Sequence, residues 1–161
     1  MDELDQSLIH EYMNIRYKQT RIKARFKSIK HLFWEQSFIR SPFAIDDNGN
    51  PESIVRYDRQ VNALIDLEAL SQQTQTELNF KRNYFNKYLM KLPNNDYMYL
   101  VMKYRKHGEV VSNALIEQQT LNECNQIEEA TEHRFGLEVE VSVEPKEDVN
   151  EMMNQVLGMI S

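Results

Sequence analysis

The chain has 161 residues, enough for one domain or for one domain with a helical arm. Hydrophobic residues make up 41% and charged residues 27%, which argues against wholesale disorder, and four Gly and four Pro are too few for a loop-rich or all-β chain. One Cys, Cys124, excludes an internal disulfide and a multi-Cys zinc site.

The net charge of −6 hides a division. Residues 1–107 carry 17 Lys and Arg against 13 Asp and Glu, whereas residues 108–161 carry 2 against 12. Such asymmetry points to a polyanion on one side and a basic partner on the other, or to attraction between the two halves. The opening residues Met1-Asp2-Glu3-Leu4-Asp5 lack the basic and apolar regions of a secretory leader, and no apolar run approaches the ~20 residues that span a bilayer. The expectation is a mainly helical, soluble protein of the cytoplasm without membrane contact.

Taken in chain order, Leu8, Tyr12, Ile15, Ile22, Phe26, Ile29 and Phe33 recur at spacings of four and three, with Gln19 in the one polar place. This heptad seam predicts a long first helix with basic residues around it. Residues 41–53, with two Pro and an Asn-Gly, predict a reversal. A second helix is expected over about 54–92, continuous through the polar run 71–76 because Gly and Pro are missing there. Pro93-Asn94-Asn95-Asp96 ends it and offers caps to a short helix with Tyr97, Leu100, Val101 and Tyr104 on one face, ending at Gly108. A further helix over 109–118 carries Val111, Ala114 and Leu115 inward. Thr120 and Glu123 read as a capping box that opens a helix with Leu121, Cys124, Ile127 and Phe135 inward, closed by Gly136. Residues 137–144 alternate apolar and polar side chains, which predicts a half-buried strand, and residues 147–160 predict a final amphipathic helix. The fold expected is mainly α: a long helical hairpin over 1–92, then a compact C-terminal unit over 93–161 with one short β-strand. The apolar seam and the lone strand lead to an expectation of self-association.

Catalytic signatures are sparse. His10, His31, His107 and His133 are scattered, and Cys124 and His133 would stand ~13 Å apart along one helix. No Gly-rich phosphate loop occurs, so we expect no enzyme, no metal, no cofactor and no small-molecule substrate. The basic run Arg16, Lys18, Arg21, Lys23, Arg25 and Lys27 has the composition of a surface that tracks a phosphate backbone. Lys81, Arg82, Lys87, Lys103, Arg105 and Lys106, interleaved with Tyr and Phe, form a second basic group; its rings recur at helical spacing, so core packing with outward cations is the other reading. Glu128, Glu129, Glu132, Glu138 and Glu140 are candidates for contact with a basic protein, or a solvated face.

The segment Leu92-Pro93-Asn94-Asn95-Asp96-Tyr97-Met98-Tyr99-Leu100-Val101-Met102-Lys103-Tyr104-Arg105, with Asp66-Leu67-Glu68 before it, resembles small phage-encoded transcription regulators of the ArpU and RinA type. The likeness covers about residues 55–135. It implies a sigma-factor-like helix-turn-helix, with a supporting helix over Val110–Gln118 and a recognition helix over Leu121–Arg134, and a dimeric DNA-binding role in transcription within a bacterial host. Asn122, Asn125, Gln126 and Arg134 are then the base- and phosphate-facing candidates. The carboxylates Glu123, Glu128, Glu129 and Glu132 depart from that pattern, because they would repel phosphate. Three functions follow: a phage or mobile-element regulator that binds DNA or a nucleoprotein machine; an inhibitor whose acidic face occupies a host nucleic-acid-binding protein, such as a polymerase or a CRISPR-type defence complex; or a structural helical oligomer.

Overall fold

In a computed structural model, residues 2–35, 53–106, 108, 110–136 and 148–160 are described, with side chains of 53–58 and 160 left aside. The helices are α1 (Glu3–Met13), α2 (Ile15–Glu35), α3 (Ser53–Lys91), α4 (Asn94–Leu100), α5 (Ala114–Phe135) and α6 (Val149–Ile160), with a π-helical turn, Val101–Arg105, continuing α4. The protein is mainly helical. Among the described residues there is no strand; the strand expected at 137–144 and the reversal at 41–53 lie outside those residues, as do Glu138 and Glu140.

The chain divides into two compact units that are not successive halves of the sequence. Unit 1 takes Met1–Thr20 and Gln75–Val143, and unit 2 takes Arg21–Thr74 and Glu144–Ser161. The sequence reading instead separated 1–92 from 93–161.

In unit 1 the first helix is two. Asp5 opens α1 by accepting the Asp2 N–H at 3.1 Å. At Asn14 the backbone leaves helical geometry, with φ −112° and ψ 12°. Asn14 Nδ2 donates to the carbonyls of His10 (2.9 Å) and Tyr104 (3.2 Å), and Arg105 Nε donates to that of Met13 (2.9 Å). Arg105 of the π-helical turn thus satisfies the Met13 carbonyl at the break, and Asn14 ties the joint back to that turn. The seam survives it: Tyr12, Ile15, Gln19, Ile22, Ile29 and Phe33 are all buried. Leu8 and Phe26 are half-buried. That buries most of the seam within the protein.

Helix α3 runs unbroken through the polar stretch, as expected. Its buried positions include Leu64, Leu67, Ser71, Gln75, Leu78, Phe85 and Leu89, so two polar side chains fill core places mid-helix. Within unit 1, Gln19 Nε2 donates to Asn79 at 2.7 Å and Gln75 Nε2 to the Gln19 carbonyl at 3.2 Å. A polar layer of this kind fixes register better than it adds stability. Tyr12 meets Phe85 edge to face at 5.1 Å, and Ile9, Met13, Leu100, Tyr104, Ile116, Leu121, Cys124 and Ile127 complete the core of this unit.

Helix α5 corrects two expectations. It runs from Ala114 to Phe135 with no turn near 118–120, and Thr120 lies inside it, fully buried. The Thr120 hydroxyl donates to the Ile116 carbonyl at 2.7 Å and stands 3.0 Å from the Tyr88 hydroxyl. It is therefore spent on a preceding carbonyl, not on capping a following turn. Gln118 and Gln119 are good helix formers, and the lack of Gly there leaves nothing to break the helix. The separate helix expected over 109–118 is likewise absent among the described residues, and Val111 and Leu115, expected inward, are exposed. Gly136 does close α5, in the left-handed conformation at φ 63°.

In unit 2 the core is Ile22, Ile29 and Phe33 of α2, Leu64 and Leu67 of α3, and Val149, Met153 and Val156 of α6. Lys30 pairs with Glu68 at 3.2 Å, and Gln60 Nε2 donates to the Met159 carbonyl at 2.6 Å. No described helix is long and apolar enough to cross a membrane.

A continuous α5 carries a direct expectation. Glu123→Ala should change unfolding free energy by less than ~0.5 kcal/mol, since no cap is lost, whereas Phe85→Ala should cost ~3–5 kcal/mol. Denaturant melts of the two variants check this, and a cost above 1 kcal/mol at Glu123 (about the value of a cap) would restore the helix start at Thr120.

Candidate nucleic-acid interface

The basic residues separate into those tied up inside unit 1 and those left at the surface of α2. Two carboxylates of α5 do the tying. Glu117 is 4% exposed, and it accepts hydrogen bonds from Lys103 Nζ and the Tyr99 hydroxyl, with the Ser112 hydroxyl 3.4 Å away. Tyr99 Oη in turn accepts the Asn113 N–H at 2.9 Å, which fixes the residue before α5. Burial by itself pushes the Glu117 carboxyl up, but the Lys103, Tyr99 and Ser112 donors outweigh it and hold it below its ordinary value. Lys103 is held above its ordinary value: burial disfavours its charge, and the hydrogen bond and attraction from Glu117 prevail.

The second carboxylate is Glu128. Lys81 Nζ pairs with its Oε2, and the Tyr12 hydroxyl donates to Oε1 at 2.8 Å. This ties α1, α3 and α5 together. Burial, then the charge of Glu128 and the hydrogen bond to it, pushes the Tyr12 hydroxyl far up, so it stays protonated as a donor. Glu128 is therefore half-buried and engaged on both oxygens, unlike the solvent-facing residue expected from sequence. Glu129 and Glu132 are exposed.

Of the rest of the second basic group, Arg82, Lys87 and Arg105 have contacts, while Lys106 is exposed. Arg82 Nη1 reaches Gln19 Oε1 at 3.4 Å, Arg105 holds the Met13 carbonyl, and Lys87 sits over the Tyr84 ring at 4.9 Å. Arg134, offered as a phosphate contact, lies over the Phe80 ring at 4.9 Å. Phe85 and Tyr104 of this group serve the core of unit 1, as the recurring spacing allowed, while Tyr84 is exposed. Asn122, Asn125 and Gln126 are exposed on α5, and Asn122 Oδ1 accepts from Gln118 Nε2 at 3.2 Å.

On α2 the picture reverses. Arg16, Lys18, Arg21, Lys23 and Lys27 are exposed, and of these only Lys18 has an ion pair among the described residues, with Glu11 at 3.2 Å. Arg25 is half-buried, its guanidinium on Asn150 (3.4 Å) and Asn154 (2.5 Å) of α6. Arg16 and Lys18 belong to the part of α2 in unit 1, and Arg21, Lys23, Arg25 and Lys27 to the part in unit 2. Within unit 2, the helical turn of 100° per residue sets Lys23, Lys27 and Trp34 on one flank. Trp34, the single tryptophan, is 60% exposed. In sequence, Leu32, Trp34 and Phe38 widen the apolar face at the end of the seam and predict entry into a core, whereas Leu32 and Trp34 are exposed.

Cys124 is fully buried, and burial, then the charges of Glu128 and Glu123, pushes its thiol well above the ordinary value. Such a thiol is a poor nucleophile. Tyr104 is pushed up to about 12, first by burial and then by the Glu117 charge. Among the described residues no three His, Cys, Asp or Glu side chains come together in a way that would hold a metal ion. Compared with protein-family models, curated proteins and solved structures, the chain matches none.

The pH dependence follows from Glu117. Its folded-state value is depressed below the ordinary 4.5, so it contributes stability that is full above that value and is lost as pH falls through the depressed one. Unfolding free energy should drop on acidification below about pH 4.5, and Glu117→Gln should be less stable near neutrality, with a shallower acid limb. A Glu117→Gln protein with an unchanged acid limb would place the responsible carboxylate elsewhere.

Proposed function

We propose that this is a non-enzymatic protein that binds nucleic acid through the exposed basic surface of α2, in a regulatory setting of the phage or mobile-element kind. One observation carries the reading. Lys81 and Lys103 are bound to carboxylates inside unit 1, while Lys23 and Lys27 stand exposed beside an exposed tryptophan without an acidic partner among the described residues. Unpaired cations on a rigid helix suit phosphate contact, since each one that neutralises a phosphate releases counterions. An aromatic ring at the end of that flank suits stacking on a base or sugar.

The resemblance of residues 55–135 to ArpU- and RinA-type regulators supplies the regulatory setting, but not the contact surface. With α5 continuous, no separate recognition helix begins at Leu121, and the exposed Glu129 and Glu132 of that helix oppose phosphate. In this reading α5 makes no contact with the nucleic acid.

The test is salt-dependent affinity for duplex DNA, followed by fluorescence of Trp34. Replacing Arg21, Lys23 and Lys27 together with Gln should lower affinity at least tenfold and reduce the slope of log K against log salt by about 3 if all three reach phosphates. Glu129→Gln with Glu132→Gln should leave affinity unchanged or raise it. Unchanged affinity in the triple variant would overturn the assignment, and weaker binding to a basic host protein in the double variant would favour the inhibitor reading instead.

A further inference from the structure

In unit 1, a cleft of about 380 Å³ lies among Asn86 and Leu89 of α3, Leu92 after it, Asn94 and Tyr97 of α4, and Arg105 at the end of the π-helical turn. Its volume is at the small end of ligand pockets. The polar side chains around it are within reach of a ligand: Asn94 and Arg105 are exposed, and Asn86 and Tyr97 are half-buried. Glu117, Glu128, Tyr12, Tyr88, Tyr99, Lys81 and Lys103 all find partners, yet the side chains of Asn86, Asn94 and Tyr97 form no hydrogen bond among the described residues. Among the described residues Arg105 uses Nε alone: the bond to the Met13 carbonyl fixes the guanidinium, while its two terminal nitrogens have no acceptor there. The wide π turn is what brings Arg105 to this point, and irregular helical turns of this kind are frequent at functional sites.

We propose that this cleft binds the C-terminal residue of a peptide or protein chain whose last side chain is apolar. A pre-oriented Arg fork matches a carboxylate. Two amide side chains, each able to donate and to accept, match the last peptide group. Leu89 and Leu92 supply an apolar wall for the side chain. A free acid lacking the peptide group uses only the Arg and the wall, and an amidated end loses the charge that Arg105 matches. The cleft is thus a second binding surface, separate in chemistry from the cationic α2, and suited to recruiting a protein.

The probe is N-acetyl-leucine, titrated into isotope-labelled full-length protein and followed by NMR. Saturable shifts are expected at the Arg105 Nε–H and at the Asn86 and Asn94 side-chain amides. N-acetyl-leucinamide should bind about tenfold more weakly, the loss of one charge-assisted contact. Isocaproate, which lacks the peptide group, should also bind more weakly. Arg105→Gln should erase the preference for acid over amide; because Arg105 also holds Met13, Asn86→Ala, which breaks no described bond, serves as the second variant. It should weaken binding a few-fold with an unchanged thermal melt. Three results would overturn the proposal: no saturable shifts at these groups, equal affinity for acid and amide, or native affinity in Asn86→Ala. Equal affinity for isocaproate would assign the cleft to small acids and overturn the chain-end reading.

Discussion

Two carboxylates on the inward face of α5 set the terms for the rest of unit 1. Glu117 and Glu128 would each be costly to bury alone, because an unpaired charge in a low-dielectric interior loses its hydration. Each is instead met by a lysine and a tyrosine hydroxyl: Lys103 and Tyr99 for one, Lys81 and Tyr12 for the other. The partners come from α1, α3, α4 and the π-helical turn, so satisfying the two charges also fixes where those elements sit. Breaking either pair leaves a half-buried charge behind, which costs far more than an exposed ion pair contributes. The same arrangement redistributes the charge of the chain. Lys81 and Lys103 are neutralised inside unit 1, whereas Lys23 and Lys27 of α2 remain at the surface.

Much of the architecture was legible in the sequence. The seam of α1 and α2, the continuity of α3 across residues 71–76, the closure of α5 at Gly136 and the apolar face of α6 all follow from spacing and from where Gly and Pro occur. The joint at Asn14 was not legible, because the seam keeps its register across it; the bonds from Asn14 to the Tyr104 carbonyl and from Arg105 to the Met13 carbonyl join residues some 90 positions apart. Thr120 misled for a different reason. Its spacing from Glu123 satisfies a capping pattern, but the burial that turns its hydroxyl onto Ile116 depends on tertiary packing. Glu128 belongs to the same run of carboxylates as the exposed Glu129 and Glu132, so nothing local marks it as the residue facing Tyr12 and Lys81. For the candidate interface, the sequence pointed to α2, but which cations are engaged depends on residues distant in the chain, such as Asn150 and Asn154 beside Arg25.

The organisation into two units made from interleaved stretches has a consequence for how the protein responds to change. α2 and α3 each contribute to both units, so a substitution that shortens either helix affects two cores. The buried polar side chains Gln19 and Gln75 occur at the ends of the stretches assigned to unit 1, where a purely apolar seam would tolerate slippage by a turn. Hydrogen bonds between defined amides tolerate it less well. Helical positions on α2 are thereby fixed, and a fixed helix presents its surface cations with less entropy lost on binding.

The central claim is that lysines 81 and 103 are sequestered by α5 while lysines 23 and 27 are available to a polyanion. Amine-selective labelling of the native protein, read residue by residue with mass spectrometry in the presence and absence of duplex DNA, tests both halves together. The account predicts fast modification of Lys23 and Lys27, slow modification of Lys81 and Lys103, and protection by DNA confined to Lys23 and Lys27 among these four. Fast modification of Lys81 and Lys103, or DNA protection at those two instead of at Lys23 and Lys27, would contradict it.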